Sequence, residues 1–378
     1  MPRSWLTYAL VLLSTAPGLP QAAPTPAFRD ETRYAEAGPH EVATLRLAWT
    51  DDAREREVPV KIYYPANEEG PFPIVIFSHG LGGSREGYAF LGRHWASHGY
   101  VSVHLEHEGS DAEVWRGQTD AARELQRAAK DPRNAINRPK DVSFAIDQLQ
   151  QLQAEDGGPL GNALALDRIA VAGHSFGAFT ALAVVGELGT YASEQRLADP
   201  RVKCAILMST PVPVSRRDRY DAVYGEIVVP CLHMTGTLDE TPIAVTKVED
   251  RRIPYDHIQR AEQYLVTFVG GDHAIFSGRP RRGSRAEKDP LFHKLILAGT
   301  TAFLEAYLAD GDEAKTWLRD GGYRKMLATN ARFEHKRPEQ PADAFSPQAG
   351  RTSTQPVRSS PRPSTRQPAQ TPSRQYRR

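Results

Sequence analysis

The sequence predicts an α/β fold with a mostly parallel, doubly wound sheet. Short, continuous apolar runs such as residues 74–77 are typical of parallel strands that are covered on both faces. These runs alternate with amphipathic helices from about residue 74 to residue 308, and polar or glycine-rich loops follow the runs. Two segments rich in β-formers, 42–49 and 58–64, come first and predict an antiparallel hairpin. Further strands are expected at 100–105, from 168 to 174, at 202–208, at 227–234, where Pro230 breaks the run, and at 264–269. Helices are expected at 88–98, from Pro139 to 152, at 178–188 and at 291–308, and the segment 112–130 is interpreted as a polar helix or a lid-like excursion.

Composition narrows the class of protein. The chain has 378 residues, of which 25% are charged, and a formal net charge of +1. This near-neutral balance gives no reason to expect a nucleic-acid partner. The two cysteines, Cys204 and Cys231, are not at metal-ligand spacing, and each opens an apolar strand-like run. We interpret both as buried core residues; a disulfide between them is the alternative.

Both ends of the chain differ from its middle in amino-acid composition. Arg3, an apolar run at 5–13 and small residues at Ala22, Ala23 and Ala27 predict a signal peptide over residues 1–23, and export to the periplasm or outside the cell. An uncleaved membrane anchor is the weaker alternative, because about 20 apolar residues are needed to span a bilayer. The catalytic domain is expected at 28–335.

The last segment, 336–378, is rich in Pro, Ser, Thr, Gln and Arg, without apolar periodicity. This composition predicts a disordered tail. Its arginines suggest a second hypothesis, weak attraction to anionic envelope surfaces that salt would reduce.

The stretch from Gly173 to Gly177 reads Gly-His-Ser-Phe-Gly and joins a buried strand to a helix of small residues. A serine at such a sharp turn has a strained backbone, and side chains at positions 173 and 177 would collide there. The pattern therefore predicts a nucleophile elbow with Ser175 at its apex.

Two further polar residues follow strands of their own, so that the order along the chain is Ser175, Asp239, His273. The carboxyl ends of parallel strands meet at one edge of a sheet, which predicts that these residues come together. Serine needs a base to take its proton, and a carboxylate orients the imidazole that serves as that base. Asp272 is the alternative acid. His79, His174 and His233 are interpreted as structural residues that hydrogen-bond the loops, not as bases.

Residues 78–84 form a glycine-rich loop after the strand at 74–77. Neither of the common nucleotide-phosphate motifs is present, so an oxyanion loop is the better interpretation. We expect the backbone N–H groups of Leu81 and Phe176 to form the oxyanion hole, with Gly80 and His174 contributing to substrate binding. The polar loop at 106–111 is interpreted as a solvated rim and not as a metal site, and no metal or cofactor is expected.

These stretches also carry a resemblance. SHGLGGSREGYAFLGRHWASHGYVSVHLEHEGSD, GHSFG, GTLDETP and GGDHAIF together resemble the serine α/β-hydrolases of the platelet-activating-factor acetylhydrolase, predicted dienelactone hydrolase and cutinase-like polyester hydrolase group. The resemblance covers about residues 41–308. It implies an α/β-hydrolase fold with antiparallel N-terminal strands, and the same roles for Ser175, Asp239, His273, Leu81 and Phe176. No large cap is expected, because the connections after residues 208 and 234 are short.

The sequence thus predicts a secreted serine carboxylic-ester hydrolase that works through an acyl-enzyme on a small-molecule or lipid-like ester. Two alternatives remain: an acyltransferase on the same triad, and a catalytically inactive hydrolase fold used for binding. A further hypothesis assigns phosphate attraction to the basic loop after His273, against the simpler interpretation of a solvated loop; its arginines are Arg279, Arg281, Arg282 and Arg285.

Overall fold

The computed structural model describes residues 32–155, 158–188, 197–212, 218–241, 243 and 246–338. The predicted signal peptide, and the predicted tail from residue 339 onward, lie outside the described residues. In the described part of the chain one sheet has the strand order β1-β2-β4-β3-β5-β6-β7-β8-β9. Its strands are β1 Val42–Asp51, β2 Arg56–Pro65, β3 Phe72–Ser78, β4 Val101–Leu105, β5 Leu164–His174, β6 Val202–Met208, β7 Cys231–Leu238, β8 Gln263–Asp272 and β9 Ala331–Lys336.

Strands β3 to β8 pair in parallel, whereas β1 and β2 form an antiparallel hairpin that joins β4. Strand β9 closes the other edge, antiparallel to β8. This is the α/β-hydrolase fold with antiparallel N-terminal strands that the sequence predicts. The helices are α1 Ala89–Ser97, α2 Ala121–Lys130, α3 Pro132–Gln153, α4 Phe176–Val185, α5 Tyr220–Tyr224, α6 Ile253–His257, α7 Asp289–Leu308, α8 Asp312–Arg319 and α9 Gly322–Leu327.

Successive side chains of the central strands point to opposite faces and bury two separate cores. In β3, Val75 and Phe77 pack in the core that α1 and α7 cover, while Ile74 and Ile76 pack in the core that α3 and α4 cover. Both faces are therefore apolar, which explains why the strands are continuous apolar runs in the sequence. The loops at the carboxyl ends of β3, β5, β6, β7 and β8 lie at the same edge and carry the predicted site.

Several expected elements differ from the observed ones. Helix α3 begins at Pro132, where Asp131 accepts a hydrogen bond from the N–H of Arg133, so Pro139 lies inside the helix and does not start it. Strand β7 starts only at Cys231, because Pro230 cannot donate to the ladder. The strand expected to be the last, β8, is followed by α8, α9 and β9, which the sequence analysis did not predict.

Candidate active site

The elbow has the predicted geometry. Ser175 has φ 55° and ψ −119° between β5 and α4, in the left-handed half of backbone space that side chains other than glycine rarely adopt. A Cβ added to Gly173 would lie 2.2 Å from the carbonyl carbon of Gly177, and one added to Gly177 would lie 1.9 Å from the carbonyl oxygen of Ser78. Within residues 169–187 every residue except Ser175 is buried. The turn therefore brings a single side chain toward solvent at the edge of the sheet.

Asp239 and His273 are in direct contact. Asp239 is fully buried just beyond β7, and its Oδ1 accepts a 2.9 Å hydrogen bond from Nδ1 of His273. His273 begins a short 3-10 turn after β8 and is partly exposed. A proton on Nδ1 leaves Nε2 as the acceptor, which is the tautomer that a general base needs.

Besides His273, three further residues in the described part of the chain contact the carboxylate of Asp239. Thr235 donates to its Oδ2 at 2.8 Å, and Ser209 donates to its Oδ1 at 2.7 Å. Nε of the buried Arg251 lies 3.1 Å from Oδ1. Burial raises the pKa of Asp239, but the hydrogen bond from His273 and the charge of Arg251 outweigh it, so the pKa lies below its usual value. The carboxylate is thus charged at neutral pH despite its burial.

Asp272, the alternative acid, has other partners. Its Oδ1 accepts from the N–H of Ala274, and both of its oxygens accept from Nη1 of Arg281 at 2.8 and 2.6 Å. Arg281 also binds Asp289. Of the two carboxylates, the structure therefore hydrogen-bonds Asp239, and not Asp272, to the imidazole of His273.

The two expected oxyanion donors have no hydrogen-bond acceptor among the described residues. The loop after β3 is closed by bonds from the N–H of Gly82 to Ser110 and from the N–H of Gly83 to Gly80. Within the described part of the chain, neither the N–H of Leu81 nor that of Phe176 donates to another protein group. The N–H of Phe176 is at the first turn of α4, where helix N–H groups have no intrahelical acceptor. Both donors are therefore available to a bound oxygen.

A buried arginine lies beneath the loop and the elbow. Arg138, from α3, is fully buried and donates to the carbonyl oxygen of His79, while its Nε donates to Thr180 of α4 at 2.9 Å and its Nη1 to Ser110 at 2.9 Å. Its guanidinium also lies 4.6 Å from the centre of the Phe176 ring. One side chain thus joins the two backbone segments that carry the expected donors.

A second polar cluster supports the same loop. His107 donates from Nδ1 to Asp141 at 2.9 Å and accepts at Nε2 from Ser78 at 3.0 Å, and Arg56 binds both oxygens of Asp141. The bonds follow the order of a catalytic triad, but Ser78 is only 2% exposed, and His107 and Asp141 are 0% exposed. No substrate can reach them, so the cluster braces β3 and its loop. His107 is therefore not on the solvated rim that the sequence analysis expected.

Gly80 and His174, expected to bind substrate, are linked through Tyr88. The N–H of Gly80 donates to the Tyr88 hydroxyl at 3.2 Å, and this hydroxyl lies 2.9 Å from Nδ1 of His174. Burial lowers the pKa of His174 well below its usual value, so its ring is neutral. This ring packs 4.6 Å from the ring of His273 and so joins the elbow to the turn that carries His273. Nδ1 of His79 contacts the Gly80 carbonyl, and His233 contacts Gln263 in β8.

The surroundings of Ser175 and His273 differ in polarity. Phe176, Phe179 and Ala135 form an apolar cluster against which Leu81 packs. Beside His273 lies a polar cavity of about 300 Å³, and its lining includes Thr237, Leu238, Glu240, Asp272, Ala274 and Arg285.

Other kinds of site are absent from the part of the chain that the structure describes, as far as metal clusters, disulfides and membrane spans are concerned. The described residues contain no cluster of His, Cys, Asp or Glu side chains that could hold a metal ion. Cys204 and Cys231 are free and buried, as predicted. None of the helices in these residues is both long and apolar enough to cross a bilayer.

Sequence reasoning missed Ser209, Arg251 and Arg138. No motif of the sequence singles out Arg251 or Arg138, yet Arg251 is 2% exposed and Arg138 0%. One usable signal was position: Ser209 directly follows an apolar strand, as the predicted site residues do.

Comparisons with known proteins support the resemblance drawn from the sequence. The family described as platelet-activating factor acetylhydrolase, isoform II, matches residues 41–156, and the family described as serine hydrolase (FSH1) matches residues 134–275. Platelet-activating factor acetylhydrolase from Canis lupus familiaris is 26% identical over 56% of this chain and 51% of its own length. The protein of the same name from Cavia porcellus is 29% identical over 58% of this chain and 51% of its own length. The chain thus spans about half the length of these curated relatives and resembles the serine hydrolases of this group.

Proposed function

We propose that this chain, which resembles the serine hydrolases of the platelet-activating-factor acetylhydrolase group, hydrolyses carboxylic esters through an acyl-enzyme on Ser175. The observation that carries the proposal is the meeting of the strained elbow, the bonded pair of Asp239 and His273, and two unengaged N–H groups at one edge of the sheet. Each of these features has one part in acyl transfer.

The reaction begins when Oγ of Ser175 attacks the ester carbonyl carbon and its proton passes to Nε2 of His273. The carbonyl oxygen becomes an oxyanion, which the N–H groups of Leu81 and Phe176 stabilise. The C–O bond to the alcohol then breaks, and His273 returns the proton to the departing oxygen. Asp239 stabilises the imidazolium between these two transfers.

Water resolves the acyl-enzyme by the same steps in reverse. His273 takes a proton from water, the hydroxide attacks the acyl carbon, and Ser175 leaves with the proton. The Ser175 hydroxyl makes no hydrogen bond within the described part of the chain, so its bond to His273 forms in the substrate complex, as is common for catalytic hydrogen bonds.

The two sides of the site suggest where the ester lies. The apolar cluster around Phe176 and Phe179 suits the acyl chain, and the polar cavity beside His273 suits the alcohol part. Arg285 lines this cavity, whereas Arg281 is paired with Asp272 and Asp289. Arg285 is thus the loop arginine to test for attraction of phosphate, and Arg285→Glu should lower turnover of phosphorylated esters more than turnover of neutral ones. An equal loss on both would leave the loop as a solvated surface.

The test is turnover of p-nitrophenyl acetate and butyrate. Ser175→Ala should abolish it in a folded protein, whereas Ser284→Ala, at an exposed serine, should leave it unchanged. Turnover that survives Ser175→Ala would refute the assignment. A fluorophosphonate should label Ser175, and failure to label it would favour the inactive binding fold. Ester or amide products formed with added alcohols or amines would favour the acyltransferase.

Export and a salt-sensitive attraction of the basic tail to anionic envelope surfaces remain part of the proposal. Both concern residues outside the described ranges. N-terminal sequencing of the protein recovered from outside the cytoplasm tests the first, and salt-dependent binding to anionic vesicles tests the second.

A further inference from the structure

Ser209 lies where the acid and the base of the site meet. It follows β6 directly, is fully buried, and has φ 56°, a conformation that is costly for a residue with a side chain. Its N–H donates to Met234 of β7, and the N–H of Ser175 donates to the preceding residue, Met208. The backbone of Ser209 is thus tied to the strand that leads to Asp239 and, through Met208, to the elbow.

The hydroxyl of Ser209 contacts both partners of the pair. Its oxygen lies 2.7 Å from Oδ1 of Asp239 and 2.6 Å from Nδ1 of His273. A carboxylate can only accept, so the hydroxyl proton points to Asp239 and a lone pair faces His273. The proton on Nδ1 of His273 therefore has two acceptors, the carboxylate and the hydroxyl.

We propose that Ser209 is a positioning residue for the acid–base pair, because its hydroxyl fixes the carboxylate of Asp239 and the imidazole of His273 relative to each other. The inference rests on the proposed function. One hydroxyl oxygen and one carboxylate oxygen, each on a residue just beyond the end of a strand, hold the ring at Nδ1 and leave Nε2 free for Ser175.

The positive φ of Ser209 supplies a sharp pair of variants. Ser209→Ala and Ser209→Gly both remove the hydroxyl, but only glycine relieves the backbone strain. If the hydroxyl positions the pair, both variants should lose about 10- to 100-fold in kcat on p-nitrophenyl butyrate, the range expected for one hydrogen bond to a charged group, with KM unchanged. If only the backbone conformation of Ser209 matters, the kcat values of the two variants should differ, and the order of these values should follow the order of their stabilities.

Ser102→Ala is the matched control. Ser102 is also fully buried, and its hydroxyl lies 3.1 Å from Nε2 of His104, but it lies within β4 and away from the site. Its loss should lower stability without lowering kcat.

Two further measurements separate positioning from general damage. The NMR resonance of the proton on Nδ1 of His273 should move in both Ser209 variants, since one of its acceptors is gone, and should stay in place in Ser102→Ala. In a double-mutant cycle, Ser209→Ala should cost much less kcat when Asp239 is already replaced by Asn, because a group that acts through Asp239 has nothing left to position.

The outcomes are distinct. Unchanged kcat and an unmoved resonance in both Ser209 variants would overturn this inference while leaving the proposed function intact. Additive losses in the cycle would overturn it as well. If the unsubstituted protein neither turns over the ester nor reacts with fluorophosphonate, the proposed function fails, and the resonance alone still tests the position of Ser209.

Discussion

Replacement of Gly177 by alanine tests the link between the elbow and the oxyanion loop. The added Cβ would lie 1.9 Å from the carbonyl oxygen of Ser78, 2.6 Å from its carbonyl carbon and 2.9 Å from the carbonyl oxygen of His79. Carbon atoms of side chains do not approach other heavy atoms more closely than about 3 Å, so the chains must separate by about 1 Å. Since the obstructing atoms are backbone, no side-chain rotation relieves the contact.

The displaced segment leads directly to Leu81, whose N–H is one of the two proposed donors. A shift of about 1 Å at a catalytic group can cost about 100-fold in rate, and overpacking costs about 1–3 kcal/mol of stability. Gly177→Ala should therefore lower kcat/KM for p-nitrophenyl butyrate by about 100-fold, with a smaller loss in the free energy of unfolding measured with urea.

Gly158→Ala is the control, because the nearest atom to its added Cβ is 4.0 Å away. It should leave kcat/KM unchanged. A folded Gly177→Ala protein with the kcat/KM of the unsubstituted chain would refute the argument that close contact with this glycine positions the loop. A protein that does not fold would agree with the clash. Gly80→Ala then supplies the milder kinetic test, because its added Cβ comes no closer than 3.2 Å to the Tyr88 hydroxyl and 3.4 Å to Nδ1 and the carbonyl oxygen of His174.

Three more predictions follow from the buried charges. Arg138→Met should lower kcat by about 10-fold and lower the free energy of unfolding by about 1–3 kcal/mol, because it leaves the buried carbonyl oxygen of His79 without its donor. Turnover and urea unfolding, compared with Arg133→Met at the surface, measure both effects. Arg251→Met should raise the pKa of Asp239, so that activity falls off at higher pH on acidification than in Arg251→Lys, and identical pH profiles would contradict this. Burial lowers the pKa of His104 and His107 to about 3, so these rings stay neutral while the unfolded chain takes up protons. The free energy of unfolding should therefore fall as pH decreases from about 6.5 to 3, and a flat profile would contradict this prediction.

The sequence was informative where local geometry leaves little choice. The glycines around Ser175 predicted the elbow, and the distances at Gly173 and Gly177 give the reason. The apolar runs predicted the parallel strands, because each run is buried on both faces. The position of Asp239 and His273 after their own strands was enough to predict that they meet.

The parts that were missed depend on contacts between distant segments. Pro139 is tolerated inside α3 although proline usually ends a helix, and the sequence analysis took it as the helix start instead of the local pattern Asp131-Pro132, a capping residue followed by proline. Strand β9 is recognised only by its pairing with β8. Arg138 is a charged residue on a helix, and its burial becomes evident only when the loop after β3 and helix α4 are packed around it.

Helix α3 has a consequence for building chimaeras from this group of proteins. Its side chains Arg138 and Asp141 hold the loop that carries Leu81, while Arg138 also holds the helix that follows Ser175. A recombination boundary placed before α3 would exchange the loop without the arginine that anchors it, and one placed just after it would separate that arginine from Thr180. A functional chimaera therefore requires that the whole segment from β3 through α4 come from one parent protein.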